Sequence, residues 1–352
     1  MTISSNNDWD PLEEVIVGRA DTALMPPIER STHSFCYGGN SWNEIKDIPA
    51  KHHKAVIEEA TEDIELLIDT LKKLKIKVYR PSPIDQNKKF STPEWTTRGW
   101  YQWCPRDLLL PLDNLIIETP SPMRARYFET RAYYPYLYDQ MKQGSEWICA
   151  PKPILDDDSY QFDIKENPTL LNKEIIFDAP NVVRLGRDIL AQVSNSGNQL
   201  GFQWLKTILE PRGYRIHLAE KYYSFSHFDS TILPLRPGLV LFNSDRVKPN
   251  RYPPMFKKWD KIWFGGDLLK TRPVDIPGNI GLCSTAIGLN FLSVNEKLVI
   301  CDEIQVELRK VLSNWGIDTI GLPMRHAQNI SGGFHCVTLD VKRKGKLENY
   351  FD

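Results

Sequence analysis

One two-part pattern recurs along this chain and restricts how it can close on itself. A polar residue is followed by a short apolar strand, a tight turn and a second apolar strand. Residues 107–118 read DLLLPLDNLIIE, 181–193 read NVVRLGRDILAQV, 229–243 read DSTILPLRPGLVLFN and 290–302 read NFLSVNEKLVICD. A fifth copy opens at Cys336 with CVTLDVKRKG and lacks its second strand, which EEVIVG at 13–18 can supply. Repeats of this size imply a solenoid or a propeller-like ring. A strand lent by the opposite terminus closes the ring and removes an open edge.

Helical units alternate with the strand pairs. Ile57, Ala60, Ile64, Leu67, Leu71 and Leu74 fall at steps of three and four, the apolar stripe of a core-packing helix. It runs into a strand at 76–78. Residues 200–209 lead through Gly213 into 214–217, and 303–315, capped by Gly316, lead into 318–321. Residues 255–259 before 262–264 form a degenerate copy. The polar starts Asp107, Asn181, Asp229, Asn290 and Cys336 then converge on a central channel. Residues 24–50, with Pro26-Pro27 and Gly38-Gly39, predict a loop over a site. Residues 1–352 are expected to form one such unit.

The formal net charge of −1 gives no basic footprint for nucleic acid or an anionic membrane. No apolar run approaches the roughly 20 residues that span a bilayer. The first residues lack a basic region followed by an apolar run, so no secretory leader is expected. Six cysteines without a C-x-x-C pair predict a reduced, cytoplasmic protein, five of them inert packing residues. Histidines and cysteines lack metal-ligand spacing, so neither metal nor cofactor is expected.

Four segments carry chemistry. In SGGFHCVTLD (331–340), a Gly-Gly pair lets the backbone pass something bulky, and Cys336 opens a strand. His335 beside it would point to the opposite strand face, which makes it a poor base for that thiol. CPRD (104–107) sets Asp107 at a strand head. FDAPN (177–181) sets Asp178 just before one. SHFD (226–229) sets His227 and Asp229 two apart, on one face of a strand. Each has an ordinary reading too: a buried core cysteine, a hydrogen-bonded histidine, turn-forming carboxylates. His335, His326 and His52-His53 are read as structural or surface residues.

Together with WDPLEEVIVG (9–18), these segments resemble the amidinotransferase family, whose familiar members are glycine amidinotransferase and the inosamine-phosphate amidinotransferase of streptomycin biosynthesis. The resemblance runs from Trp9 to Asp352. It implies an α/β fold, a five-fold pseudosymmetric α/β propeller of ββαβ modules. It implies Cys336 as nucleophile, His227 as general acid/base and Asp178 as the carboxylate behind it. Asp107 and Asp229 match the carboxylates that grip a guanidinium. Arg246 and Ser284 match positions that hold the donor's α-carboxylate. The implied substrates are small molecules, L-arginine and an amine acceptor, and the implied assembly is a homodimer.

The residue types suit that reaction. A guanidinium is a poor electrophile that two carboxylates can orient by charge-assisted hydrogen bonds. A thiolate can attack its carbon, and a histidine can protonate the departing amine. Glycine-type members carry a methionine where this chain has Ser226. Ser226 and Ser224, two small hydroxyls, predict an acceptor larger than glycine in the making of a guanidine-containing natural product. The alternatives are glycine as acceptor, giving guanidinoacetate, and hydrolysis by an arginine deiminase-like enzyme on the same scaffold.

Overall fold

The computed structural model describes residues 2–37, 40–161, 170–219, 222–223, 225–274 and 280–351. Five three-stranded sheets follow one plan. Two antiparallel strands joined by a tight turn are followed by a helix, and a third strand then pairs in parallel with the second. In the first module these are Leu109–Leu112, Leu115–Glu118, the helix Tyr134–Lys142 and Glu146–Cys149. In the second they are Val182–Leu185, Asp188–Gln192, Gln199–Leu209 and Arg215–Ala219. The third has Ile232–Arg236, Leu239–Asn243, a 3-10 turn at Pro254–Lys258 and Asp260–Phe264. The fourth has Leu292–Asn295, Leu298–Asp302, Val306–Asn314 and Asp318–Leu322.

The fifth module joins the two ends of the chain. Thr338–Arg343 pairs antiparallel with Leu12–Val17, which pairs in parallel with Lys77–Tyr79 after the helix Lys54–Lys73. The N-terminal strand thus completes the last repeat. The fold is a pseudosymmetric α/β propeller of five ββαβ modules.

Local chemistry explains the repeat. The middle strands, LIIE, DILAQ and LVLFN, are buried along their whole length, so they read as continuous apolar runs rather than alternating ones. The long helix buries Val56, Ala60, Ile64, Leu67, Ile68 and Leu71 and turns its charges outward. One exception is the buried Asp63, which accepts from the Arg325 guanidinium and backbone N–H at 2.8 and 2.7 Å.

Two expectations need correction. The helix Tyr134–Lys142 is absent from the sequence reading, because its tyrosines blur the apolar stripe. Pro135 in its first turn and Gly144 at φ +102° beyond its end were the available signals. Residues 24–50 are not simply a loop, since they contain the helices Arg30–Cys36 and Trp42–Ile45, the first with five buried side chains. Gly38-Gly39 lie outside the described residues. Among the described residues, no helix is long and apolar enough to cross a membrane.

Candidate active site

Four of the five expected polar starts, Asp107, Asp229, Asn290 and Cys336, line one cleft of about 530 Å³, mouth included; Asn181 does not, and its amide is instead bound to Ser194 and Ser196. None of these residues lies within a strand. Asp107 ends the 3-10 turn Pro105–Asp107, and Asp178 caps the turn Ala179–Asn181. Asp229 lies in the turn ahead of Ile232, and Asn290 follows the turn Thr285–Leu289. Cys336 lies in a turn two residues before Thr338. Strand parity therefore does not govern them. His335 and Cys336 both reach Asp229 Oδ2, at 2.8 and 3.3 Å, because residues 334–337 turn back on themselves.

Two glycines make room for this turn. Gly332, at φ +155°, leaves no space for a Cβ, which would lie 2.5 Å from Cys104 Sγ and 3.0 Å from Trp103 Nε1. Trp103 Nε1 donates to the Gly332 carbonyl at 3.0 Å. A Cβ on Gly333 would lie 2.9 Å from the Asn290 carbonyl oxygen.

His227 stands between two carboxylates. Its Nε2 lies 3.1 Å from Asp178 Oδ2, and its Nδ1 lies 3.6 Å from Asp107 Oδ1. The Phe35 ring lies 5.2 Å from the imidazole. Burial opposes the charge on His227, but Asp107, Asp178 and the Cys336 thiol together hold it well above the ordinary histidine range. Asp107 is tied at its other oxygen to the fully buried Arg126. Arg126 is held in turn by both oxygens of Glu129, at 2.7 and 2.9 Å, and by the Cys104 carbonyl at 2.7 Å. Asp107 Oδ1 and Asp178 Oδ1 are buried without a hydrogen-bond partner among the described residues. An unfilled carboxylate oxygen facing a cleft suits a ligand rich in N–H donors.

Cys336 is buried beside Asp229, Asn290 and His227. A hydrogen bond with Cys104, burial and the Asp229 charge all push its thiol up, and His227 pulls the other way. Asp229 is held well below the usual carboxylate range. Burial opposes this, but the hydrogen bond and charge of His335 outweigh it. At the far wall Arg246 donates to Ser230 at 3.0 Å, Thr231 at 2.9 Å and Ser284 at 2.8 Å. Its guanidinium lies 3.5 Å from the centre of the Tyr223 ring. Ser226 lines the cleft next to Phe225 at the mouth. Ser224 lies outside the described residues.

The structure thus gathers Cys336, His227, Asp178, Asp107, Asp229, Arg246, Ser284 and Ser226. The sequence reading assigned no role to Asn290, although it marked that residue as a strand head, and it missed Arg126 and Phe35, which no motif announces. Among the described residues, no group of three or more His, Cys, Asp and Glu side chains is arranged to hold a metal.

No family model matches the chain. Individual proteins do. It is 40% identical over 344 residues to inosamine-phosphate amidinotransferase 1 of Streptomyces griseus, covering 98% of each chain. This chain belongs to the amidinotransferase family. It is 38% identical to the mitochondrial glycine amidinotransferase of Gallus gallus, over 99% of this chain and 85% of that one. The solved inosamine-phosphate amidinotransferase of Streptomyces griseus superposes with a TM-score of 0.94 at 39% identity, covering 99% of each chain. An amidinotransferase of Microseira wollei in the saxitoxin biosynthetic pathway superposes at 0.89 with 36% identity, again over 99% of each chain. A dimethylarginine dimethylaminohydrolase, at 0.59 and 14% identity, shares the fold. As an amidinotransferase, the enzyme is a transferase acting on small molecules.

Proposed function

We propose that this amidinotransferase takes the amidino group from L-arginine and carries it on Cys336 to a primary amine larger than glycine, in the making of a guanidine-containing natural product. One observation carries the reading. A thiol, an imidazole paired with a carboxylate, and two further carboxylates converge on one cleft whose far wall ends in Arg246.

Arginine's α-carboxylate pairs with Arg246, which Ser284, Ser230 and Thr231 hold in place. Its guanidinium lies between Asp229 and the unpartnered oxygen of Asp107. Their charges orient it with its carbon toward Cys336 Sγ. The guanidinium's own charge offsets Asp229 and favours the thiolate. The sulfur attacks, a C–S bond forms, and the bond from the central carbon to the side-chain nitrogen breaks. His227 gives that nitrogen its proton, and ornithine leaves. Asp178 holds the imidazole in register and stabilises its cation. The acceptor amine then enters, gives its proton to His227 and attacks the amidino carbon, and the thiolate departs.

Ser226 at the mouth, half-buried and small, supports the larger acceptor. The test is incubation with arginine and a panel of amines, with ornithine and new guanidines measured together. Ornithine and product should appear in equal amounts with the preferred amine. Ornithine and urea from arginine alone would mean that water takes the amidino group from Cys336, whereas citrulline and ammonia would mean deiminase chemistry, in which the terminal nitrogen leaves instead.

A further inference from the structure

We propose that His335 is a positioning residue for this reaction: it orients Asp229 and takes up enough of its charge for Cys336 to ionise 3.3 Å away. The inference rests on the reading of Cys336 as the nucleophile.

Asp229 sits awkwardly for a thiol that must become a thiolate. Its Oδ2 is the atom closest to the sulfur, and a carboxylate there opposes a second negative charge. Three donors converge on that one oxygen: Asn290 Nδ2 at 2.8 Å, His335 Nδ1 at 2.8 Å and the thiol itself. When the thiol gives up its proton, the other two remain. A carboxylate only accepts, so the 2.8 Å contact requires a proton on Nδ1 and fixes the imidazole tautomer.

The ring is held from behind. Its Nε2 faces Asp8 Oδ1 at 3.7 Å, and Asp8 is paired with Arg184 and, at 3.6 Å, with Arg106. The His335 backbone is pinned as well: its carbonyl accepts from Arg106 Nε at 2.8 Å, and its N–H donates to the Asn290 carbonyl at 3.1 Å. A second cavity shares Asp229 with the cleft and reaches Asp8, Ser293 and His335 from between the first strands. The charged and titratable groups around the pair are therefore Asp229 and His227 from the third module's approach, Cys104 and Arg106 from the first, Cys283 from the fourth, and Asp8 near the N-terminus. Of these, Asp229 is the one joined to His335 by a 2.8 Å hydrogen bond.

The test compares His335→Asn with His335→Gln. An Asn side chain sets an N–H donor where Nδ1 stands, whereas Gln sets one near Nε2. The readout is the rate of iodoacetamide labelling of the Cys336 peptide against pH, which requires neither donor nor acceptor. H335Q should move the midpoint up by about one unit, a tenfold loss of thiolate on the rising limb, and raise arginine KM about tenfold. H335N should stay close to wild type in both. Equal behaviour of the two variants, shifted or unshifted, overturns the proposal. So does an imidazole nitrogen spectrum of the wild-type enzyme that puts the His335 proton on Nε2 alone, a result independent of how the variants fold. If instead wild-type Cys336 never carries an amidino group after incubation with arginine, the functional reading fails, and the labelling profile still reports on His335.

Discussion

Asn290 grips Cys336 at two points. One amide atom lies 2.9 Å from the Cys336 backbone nitrogen and the other 3.1 Å from the sulfur. A backbone N–H can only donate, so the first atom is Oδ1, which leaves the amino group to face both Sγ and, at 2.8 Å, Asp229. The sulfur is thereby held by a donor that a thiolate can use. Asn290→Ala should lower kcat about 10- to 100-fold through loss of alignment. Asn290→Asp presents a second carboxylate to the sulfur and should slow iodoacetamide labelling of Cys336 further than Ala does. Equal labelling of the two variants would show that the amide acts by shape alone.

The two carboxylates flanking His227 should separate kinetically, though not completely. Asp178 touches the imidazole at 3.1 Å, whereas Asp107 stands at 3.6 Å and is shared with Arg126. Asp178→Asn should lower kcat by roughly two to four orders of magnitude with a modest change in arginine KM, as when a histidine loses its orienting carboxylate. Asp107→Asn should mainly weaken arginine capture and slow appearance of the amidino-Cys336 peptide in single-turnover mass analysis. Because both carboxylates hold His227 above its ordinary range, each variant should also lower its pKa. A histidine whose pKa is raised stays charged until pH climbs through that value. The alkaline limb of the kcat profile should therefore move to lower pH in both. Identical effects on kcat and KM would mean that the roles do not divide this way.

Arg246 should report on the donor's carboxylate. Removing a charge-assisted pair costs about 1.5–3 kcal/mol, so Arg246→Ala should raise arginine KM about 10- to 100-fold. Decarboxylated arginine has no carboxylate to lose. Its turnover should be weak in wild type and nearly unchanged in the variant. A comparable drop with both donors would place the arginine carboxylate elsewhere.

Much of this architecture is readable in the sequence because the repeat is written in apolar runs. The middle strands are buried on both sides, so LIIE, DILAQ and LVLFN stand out without alternation. The borrowed strand EEVIVG is legible because the last repeat is one strand short. The site was less legible. Its residues sit on turns, where a period of two does not apply, so strand parity misplaced His335 relative to Cys336. Arg126 and Phe35 act through contacts closed by distant segments, and nothing in RAR or SFC marks them.

Buried charge beneath the site sets up an acid-sensitive core. Asp340 is fully buried and accepts from Arg106 at 2.7 Å, Arg184 at 2.8 and 2.9 Å and Arg343 at 2.6 Å. Burial alone would raise its carboxyl, but Arg184, Arg343 and Arg106 hold it far below the usual range. A group depressed on folding stabilises the native state above its unfolded pKa, about 3.9, and loses that contribution as pH falls toward the folded value. Asp340→Asn strands buried guanidinium charge and should cost about 3–5 kcal/mol at neutral pH. Urea melts at pH 5 and pH 3 should show wild type losing more stability on acidification than the variant does, because the loss sets in only below the unfolded pKa. Parallel losses would assign the acid sensitivity to other carboxylates.

Acceptor choice should turn on Ser226. Its carbonyl accepts from Gln192 Nε2 at 3.1 Å, which anchors the backbone just before His227. The acceptor nitrogen must come within hydrogen-bond reach of that histidine, so the rest of the acceptor passes close to residue 226. Ser226 lines the cleft there, and its small side chain leaves room for a few more heavy atoms than a long thioether would, with a hydroxyl for a polar group. Phe225, 36% exposed, lines the cleft beside it. With arginine as donor, glycine should be a poor acceptor beside larger primary amines, including cyclitol amines and diamines. Ser226→Met should fill the space and shift preference toward small amines, with arginine KM and ornithine release in the first half-reaction unchanged if, as proposed, the donor's carboxylate end lies on the Arg246 side. A wild-type enzyme that strongly prefers glycine, or a methionine variant with the same ranking of amines, would remove residue 226 from acceptor selection.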